Sequence, residues 1–187
     1  MIAVWGLLIG LPLLAFGGAL VFFPETARRF SMWYRTSKVV AAVLTTIAWF
    51  WTAYECDTIG IDAFDAVTKA FPGELWILAV VLSFLTYHWM PKNLPVRALT
   101  GIMMLVPAAL FRTTHAYRPP QGTLFAAVDL FVIVAYIGAI IGMYGMFYPW
   151  RLEKGLDAVL ARRWASAALG AALSAAGIAL VAIGFAL

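Results

Sequence analysis

In this chain of 187 residues, six long apolar stretches are separated by short gaps, and the Lys and Arg residues crowd into alternate gaps. About 20 apolar residues wound as an α-helix match the ~30 Å hydrocarbon core of a bilayer, where only helices and closed barrels satisfy their own backbone. The stretches cover about 2–23, 38–55, 74–90, 96–112, 123–148 and 164–187. With 64% hydrophobic and 12% charged residues, the chain holds about half the charge usual in soluble domains. The sequence therefore predicts an all-α polytopic integral membrane bundle, with six transmembrane helices forming a single domain over residues 1–187.

Charge placement predicts the orientation. Arg28, Arg29, Arg35, Lys38, Lys92, Arg97, Arg151, Lys154, Arg162 and Arg163 occupy the first, third and fifth gaps, whereas only Lys69, Arg112 and Arg118 occupy the second and fourth. Positive loops stay cytoplasmic, so both termini are expected on the outer, non-cytoplasmic side. A bacterial cytoplasmic (inner) membrane suits this pattern. The first stretch has no preceding basic residues and no small-residue cleavage site, so it reads as a retained helix rather than a signal peptide. The basic residues flank spans and form no continuous face, which argues against nucleic acid and for lipid headgroups as partners.

Each exit from an odd-numbered stretch has the same form. Phe22-Phe23-Pro24, Trp89-Met90-Pro91 and Phe147-Tyr148-Pro149 place aromatics before a proline, and basic residues follow. Pro24 to Lys38 and Pro149 to Arg163 are equal intervals, consistent either with repeated helical hairpins or with convergence on one membrane-exit grammar. Within 149–163, Leu152, Leu156, Val159 and Leu160 share a helical face, which predicts a helix lying along the surface. The 25–37 gap, with Phe30, Trp33 and Tyr34, can do the same. On the other side, Ile61, Phe64, Val67 or Thr68 and Phe71 form a further stripe.

Small residues mark candidate helix contacts, because removing side-chain bulk lets backbones approach in lipid. Gly6 and Gly10 form one GxxxG pair, and Gly138 and Gly142 another. Ser166, Gly170 and Ser174 repeat every four residues in the last stretch, which suits packing against this chain or another subunit.

Few residues carry chemistry. Asp129 lies about two turns inside the fifth stretch, with Tyr136 on its stripe and Arg112, His115 and Arg118 as candidate partners. It can serve as a proton or ion site or as a structural pair with Arg112. Thr45, Thr52 and Glu55 share a side of the second helix, which ends at Tyr54-Glu55-Cys56-Asp57. Asp62 and Asp65 form an isolated DxxD. His88 and His115 are the only candidate haem or pigment ligands, and this topology puts them at opposite membrane faces, where they cannot share one iron. The lone Cys56 precludes an internal disulfide. Serine-hydrolase, zinc-protease, phosphate-loop and CxxC signatures are absent.

The sequence reading is thus a non-catalytic membrane subunit that scaffolds a larger complex through its first, fifth and sixth spans, with lipids and other subunits as partners and no cofactor expected. Two alternatives stand beside it. One is a small solute or proton-coupled transporter using Asp129. The other is a haem- or quinone-associated electron-transfer subunit.

Overall fold

The computed structural model describes residues 2–59, 73–90, 92–114 and 127–186. These form helices α1 (Ile2–Phe22), α2 (Pro24–Thr36), α3 (Lys38–Ile59), α4 (Glu74–Trp89), α5 (Leu94–Thr114), α6 (Asp129–Phe147), α7 (Pro149–Ala161) and α8 (Arg163–Ala186). Helices α1, α3, α5, α6 and α8 are long and apolar enough to cross a membrane, and α4 is apolar but shorter. The stripe from Ile61 to Phe71, the Asp62/Asp65 pair, His115 and Arg118 lie outside the described residues.

Two boundaries differ from expectation. Helix α3 continues a turn past Glu55 to Ile59, so Glu55 is a residue of the helix body rather than of its end. Helix α6 begins at Asp129, so Asp129 occupies its first turn instead of lying two turns inside. Helix α5 runs through Pro107 and α1 through Pro12.

Proline shapes the exits as anticipated. Phe23, Met90 and Tyr148 each precede a proline and share one backbone conformation, with φ between −133° and −123° and ψ between 53° and 58°. A residue before proline is driven out of the α region, which ends the preceding helix there. Pro24 and Pro149 then open α2 and α7, each of 13 residues, at the helix start where proline is best tolerated. Leu152, Leu156 and Val159 are half-covered and Leu160 is buried, while Arg151, Lys154 and Arg162 are exposed. In α2 the inward residues are Ala27, Ser31 and Tyr34, and Phe30 and Trp33 face out.

The closest packing in the molecule is the antiparallel pair α1 and α8. Gly6, Gly10 and Gly17 meet Gly184, Gly177 and Gly170 in reverse order; a Cβ on Gly17 would lie 2.6 Å from the Gly170 carbonyl oxygen, and one on Gly10 2.8 Å from that of Gly177. Ser166 Oγ donates to the Leu20 carbonyl at 3.3 Å. The small-residue face of the last helix is therefore occupied by the first helix of the same chain, the first of the two uses the sequence left open.

Helices α5 and α6 meet around Gly142 and Gly145, where a Cβ on Gly142 would lie 2.7 Å from the Thr100 carbonyl oxygen. Gly138 is looser, with only the Met103 methyl at 3.7 Å. Helix α3 packs on both α5 and α4. Leu110, Phe131, Ala135 and Leu180 form a fully covered cluster joining α5, α6 and α8, and Trp5 and Ile9 of α1 pack against it. A Cβ on Gly184 would lie 3.4 Å from the Ile2 carbonyl oxygen. Both ends of the described chain thus lie at one end of the bundle, the far end, opposite α2 and α7 at the basic end.

Candidate functional site

At the far end Glu55 turns inward from α3 and is only 3% exposed. Burying a carboxylate is costly unless it is paired and hydrogen-bonded, and here both oxygens are engaged. Arg112 Nη2 on α5 donates to Oε2, and Trp51 Nε1 donates to Oε1 at 2.9 Å. Trp5 Nε1 donates to Thr113 Oγ1 at 3.2 Å, and the Trp5 and Trp51 rings stand 6.5 Å apart. A cavity of about 580 Å³ opens among Trp5, Trp51, Tyr54, Glu55 and Arg112. The arrangement ties α1, α3 and α5 together with both oxygens of the Glu55 carboxylate hydrogen-bonded.

The residues expected around Asp129 are distributed differently. Arg112 ion-pairs with Glu55. Asp129 is half-buried at the start of α6, where the positive end of the helix dipole favours a carboxylate. Tyr136 is 53% exposed while its neighbour Ala135 is buried, so it faces away from the bundle interior. His88 lies in the last turn of α4 at the basic end, stacked on Phe84 with ring centroids 4.6 Å apart. Among the described residues no three of His, Cys, Asp and Glu gather as a metal site requires.

A second cavity, of about 470 Å³, runs between α3, α4 and α5 toward the basic end and reaches Met146 of α6. Thr45, 3% exposed, lines it, and its hydroxyl has no hydrogen-bond partner. The buried Nε of Arg97 is also unpartnered. Thr86 accepts from Trp49 Nε1 at 3.0 Å, and Thr52 donates to the Ala48 carbonyl at 2.8 Å. The rest of the lining is apolar, chiefly Met90, Leu94, Met104, Leu105 and Met146. Thr45 belonged to the polar side anticipated for the second helix. Arg97 reads in the sequence as one more charge between spans, because the apolar run begins beside it; α5 starts earlier, at Leu94, and carries Arg97 inward on the same face as Gly101 and Leu105.

At the basic end α2 and α7 are joined by Arg35 and Asp157, with Nη1–Oδ2 at 3.0 Å and Nη2–Oδ1 at 2.6 Å. The hydrogen bonds from Arg35 hold the Asp157 carboxyl below the usual carboxylate range, and burial pushes neighbouring Glu153 up. The Tyr34 hydroxyl donates to the Pro95 carbonyl at 2.6 Å, tying α2 to α5, and burial raises its pKa above the ordinary tyrosine value. Neither contact is visible as a motif, since the partners are 122 and 61 residues apart.

The chain matches no protein-family model, no curated protein sequence and no solved structure.

Proposed function

We propose that this chain is a non-catalytic integral subunit of a larger membrane assembly, crossing a bacterial-type cytoplasmic membrane six times with both termini outside and α2 and α7 on the cytoplasmic surface. The observation that carries the reading is α4. Its 16 residues extend roughly 24 Å at 1.5 Å per residue, short of the ~30 Å core. Among the described residues its close packing is with α3 alone, and Ile77, Val81 and Phe84 are exposed along one side. A span shorter than the bilayer is accommodated by local thinning or by association with a neighbour. Helix α4 is accordingly the docking face for a helix of another membrane protein, in place of the glycine faces of α1 and α8, which close on each other.

The engaged state of Glu55 and Arg112 supports a structural rather than a reactive role for the far end. Transport through Asp129 has less support, because Tyr136 faces outward and Arg112 is held by Glu55. Native mass spectrometry of the protein gently solubilised from its own membrane tests the assembly. Additional subunits should accompany the wild-type chain reproducibly and be lost from an Ile77→Ala, Phe84→Ala variant. A lone monomer or a homo-oligomer would overturn the reading.

A further inference from the structure

The groove between α3, α4 and α5 combines features that ordinary helix packing does not require. Its one charged group is the Arg97 guanidinium, and beside it stand the hydroxyls of Thr45, Thr52 and Thr86, of which Thr86 already accepts from Trp49 and Thr52 donates to its own helix. No carboxylate lines it, and Arg97 has no ion-pair partner among the described residues. A buried donor without a partner costs free energy comparable to a lost hydrogen bond. In Thr45 the group is almost wholly covered, and its neighbours Thr46 and Thr52 satisfy themselves on the carbonyl four residues back while Thr45 does not.

The apolar part extends from this donor cluster along the bundle. Arg97, Gly101 and Leu105 recur every four residues on α5, so the groove runs along that helix from a charged end into an apolar one. Gly101 has open space where a Cβ would stand, so the absence of a side chain there serves no helix contact and leaves the groove unobstructed. Met90, Met104 and Met146 give the walls unbranched, adaptable side chains. The volume falls within the range of small-molecule sites.

We propose that this groove binds one anionic amphiphile, with its carboxylate or phosphate head on Arg97 and Thr45 and its chain beside Gly101, Met104 and Leu105. A fatty acid and an acidic phospholipid both supply that chemistry. A neutral head would leave the guanidinium uncompensated, so charge is the basis of selection.

The test uses the full-length protein, delipidated in neutral detergent and titrated in native mass spectrometry with palmitate, phosphatidylglycerol, uncharged diacylglycerol and a short-chain quinone. Palmitate or phosphatidylglycerol should bind one to one, and the tighter of the two identifies the source of the anion. Arg97→Gln should weaken binding at least about tenfold, the scale of a lost charge-assisted hydrogen bond. Gly101→Leu places its side chain in open space and improves helix propensity, so it should fold normally and block the chain of the ligand. Equal binding of diacylglycerol or the quinone, no stoichiometric ligand, or unchanged binding by a folded Gly101→Leu protein would each overturn the proposal.

Discussion

Glu55 and Arg112 are unequal partners. The Glu55 side chain is nearly enclosed, whereas that of Arg112 is 42% exposed, so removing the arginine strands a buried charge while removing the charge of the glutamate leaves a cation that water can reach. Breaking a buried ion pair from one side costs about 3–5 kcal/mol, and the exposure of Arg112 reduces that here to roughly 2 kcal/mol. Arg112→Met should therefore lower thermal stability in detergent clearly, Glu55→Gln much less, since the amide oxygen still accepts from Trp51. The Glu55→Gln, Arg112→Met double variant should recover most of the loss. A double variant as unstable as Arg112→Met alone would show that the arginine acts by packing and not through the carboxylate. The sequence showed that Thr45, Thr52 and Glu55 share a helix side, because that follows from helical periodicity alone. It could not show that Arg112 turns to Glu55 rather than to Asp129, because that depends on how α3 sits against α5. Arg97 was hidden for a related reason: a charge one turn inside a helix and a charge just before it look alike until the helix start is known.

Among the elements, the close approach of α1 and α8 is set by glycine. Gly170, Gly177 and Gly184 recur every seven residues, and Gly10 and Gly17 share that interval on α1, the spacing that keeps one face toward an antiparallel neighbour over several turns. Gly6, Gly10 and Gly170 were legible, yet they marked only half of the seam; Gly17, Gly177 and Gly184 complete it, and the seven-residue interval was the signal that would have found them. Adjacent glycines on α1 provide the contrast. A methyl group at Gly17 would collide with the Gly170 carbonyl and with Ser174, whereas one at Gly18 would meet nothing within 4 Å. Gly17→Ala should cost roughly 1–3 kcal/mol through overpacking, and Gly18→Ala should be neutral or stabilising by up to about 1 kcal/mol through helix propensity. Scanning melting temperatures of both variants in the same detergent checks the difference. Equal effects would mean that the two helices are not held at backbone contact. The three proline exits were legible for the opposite reason, since a proline restricts the residue before it whatever the tertiary setting.

At the scale of the whole molecule, hydropathy located each long apolar helix but missed the end of α3 by four residues and the start of α6 by six, because an apolar run fixes the middle of a helix better than its ends. Helix α4 is the exception in length, and charge counting alone decides which face of the membrane each end of the bundle meets. The structure joins Ile2 to Gly184 at the far end and gathers Arg28, Arg29, Arg151, Lys154, Arg162 and Arg163 with α2 and α7 at the basic end. If α4 failed to cross, helices α5, α6 and α8 would still alternate, but the charge bias would no longer agree at both ends. Exposed positions are available at each end: Asp57 at the far end and Lys154 at the basic end. With Cys56→Ser removing the sole native thiol, Asp57→Cys should react with a membrane-impermeant maleimide on intact cells. Lys154→Cys should react only after the membrane is opened. The reverse pattern would invert the assigned orientation, and reaction of both on intact cells would mean that the two ends do not face opposite sides of the membrane. The expected asymmetry would place the Arg97 groove toward the cytoplasmic leaflet, where anionic lipids supply the negative surface potential.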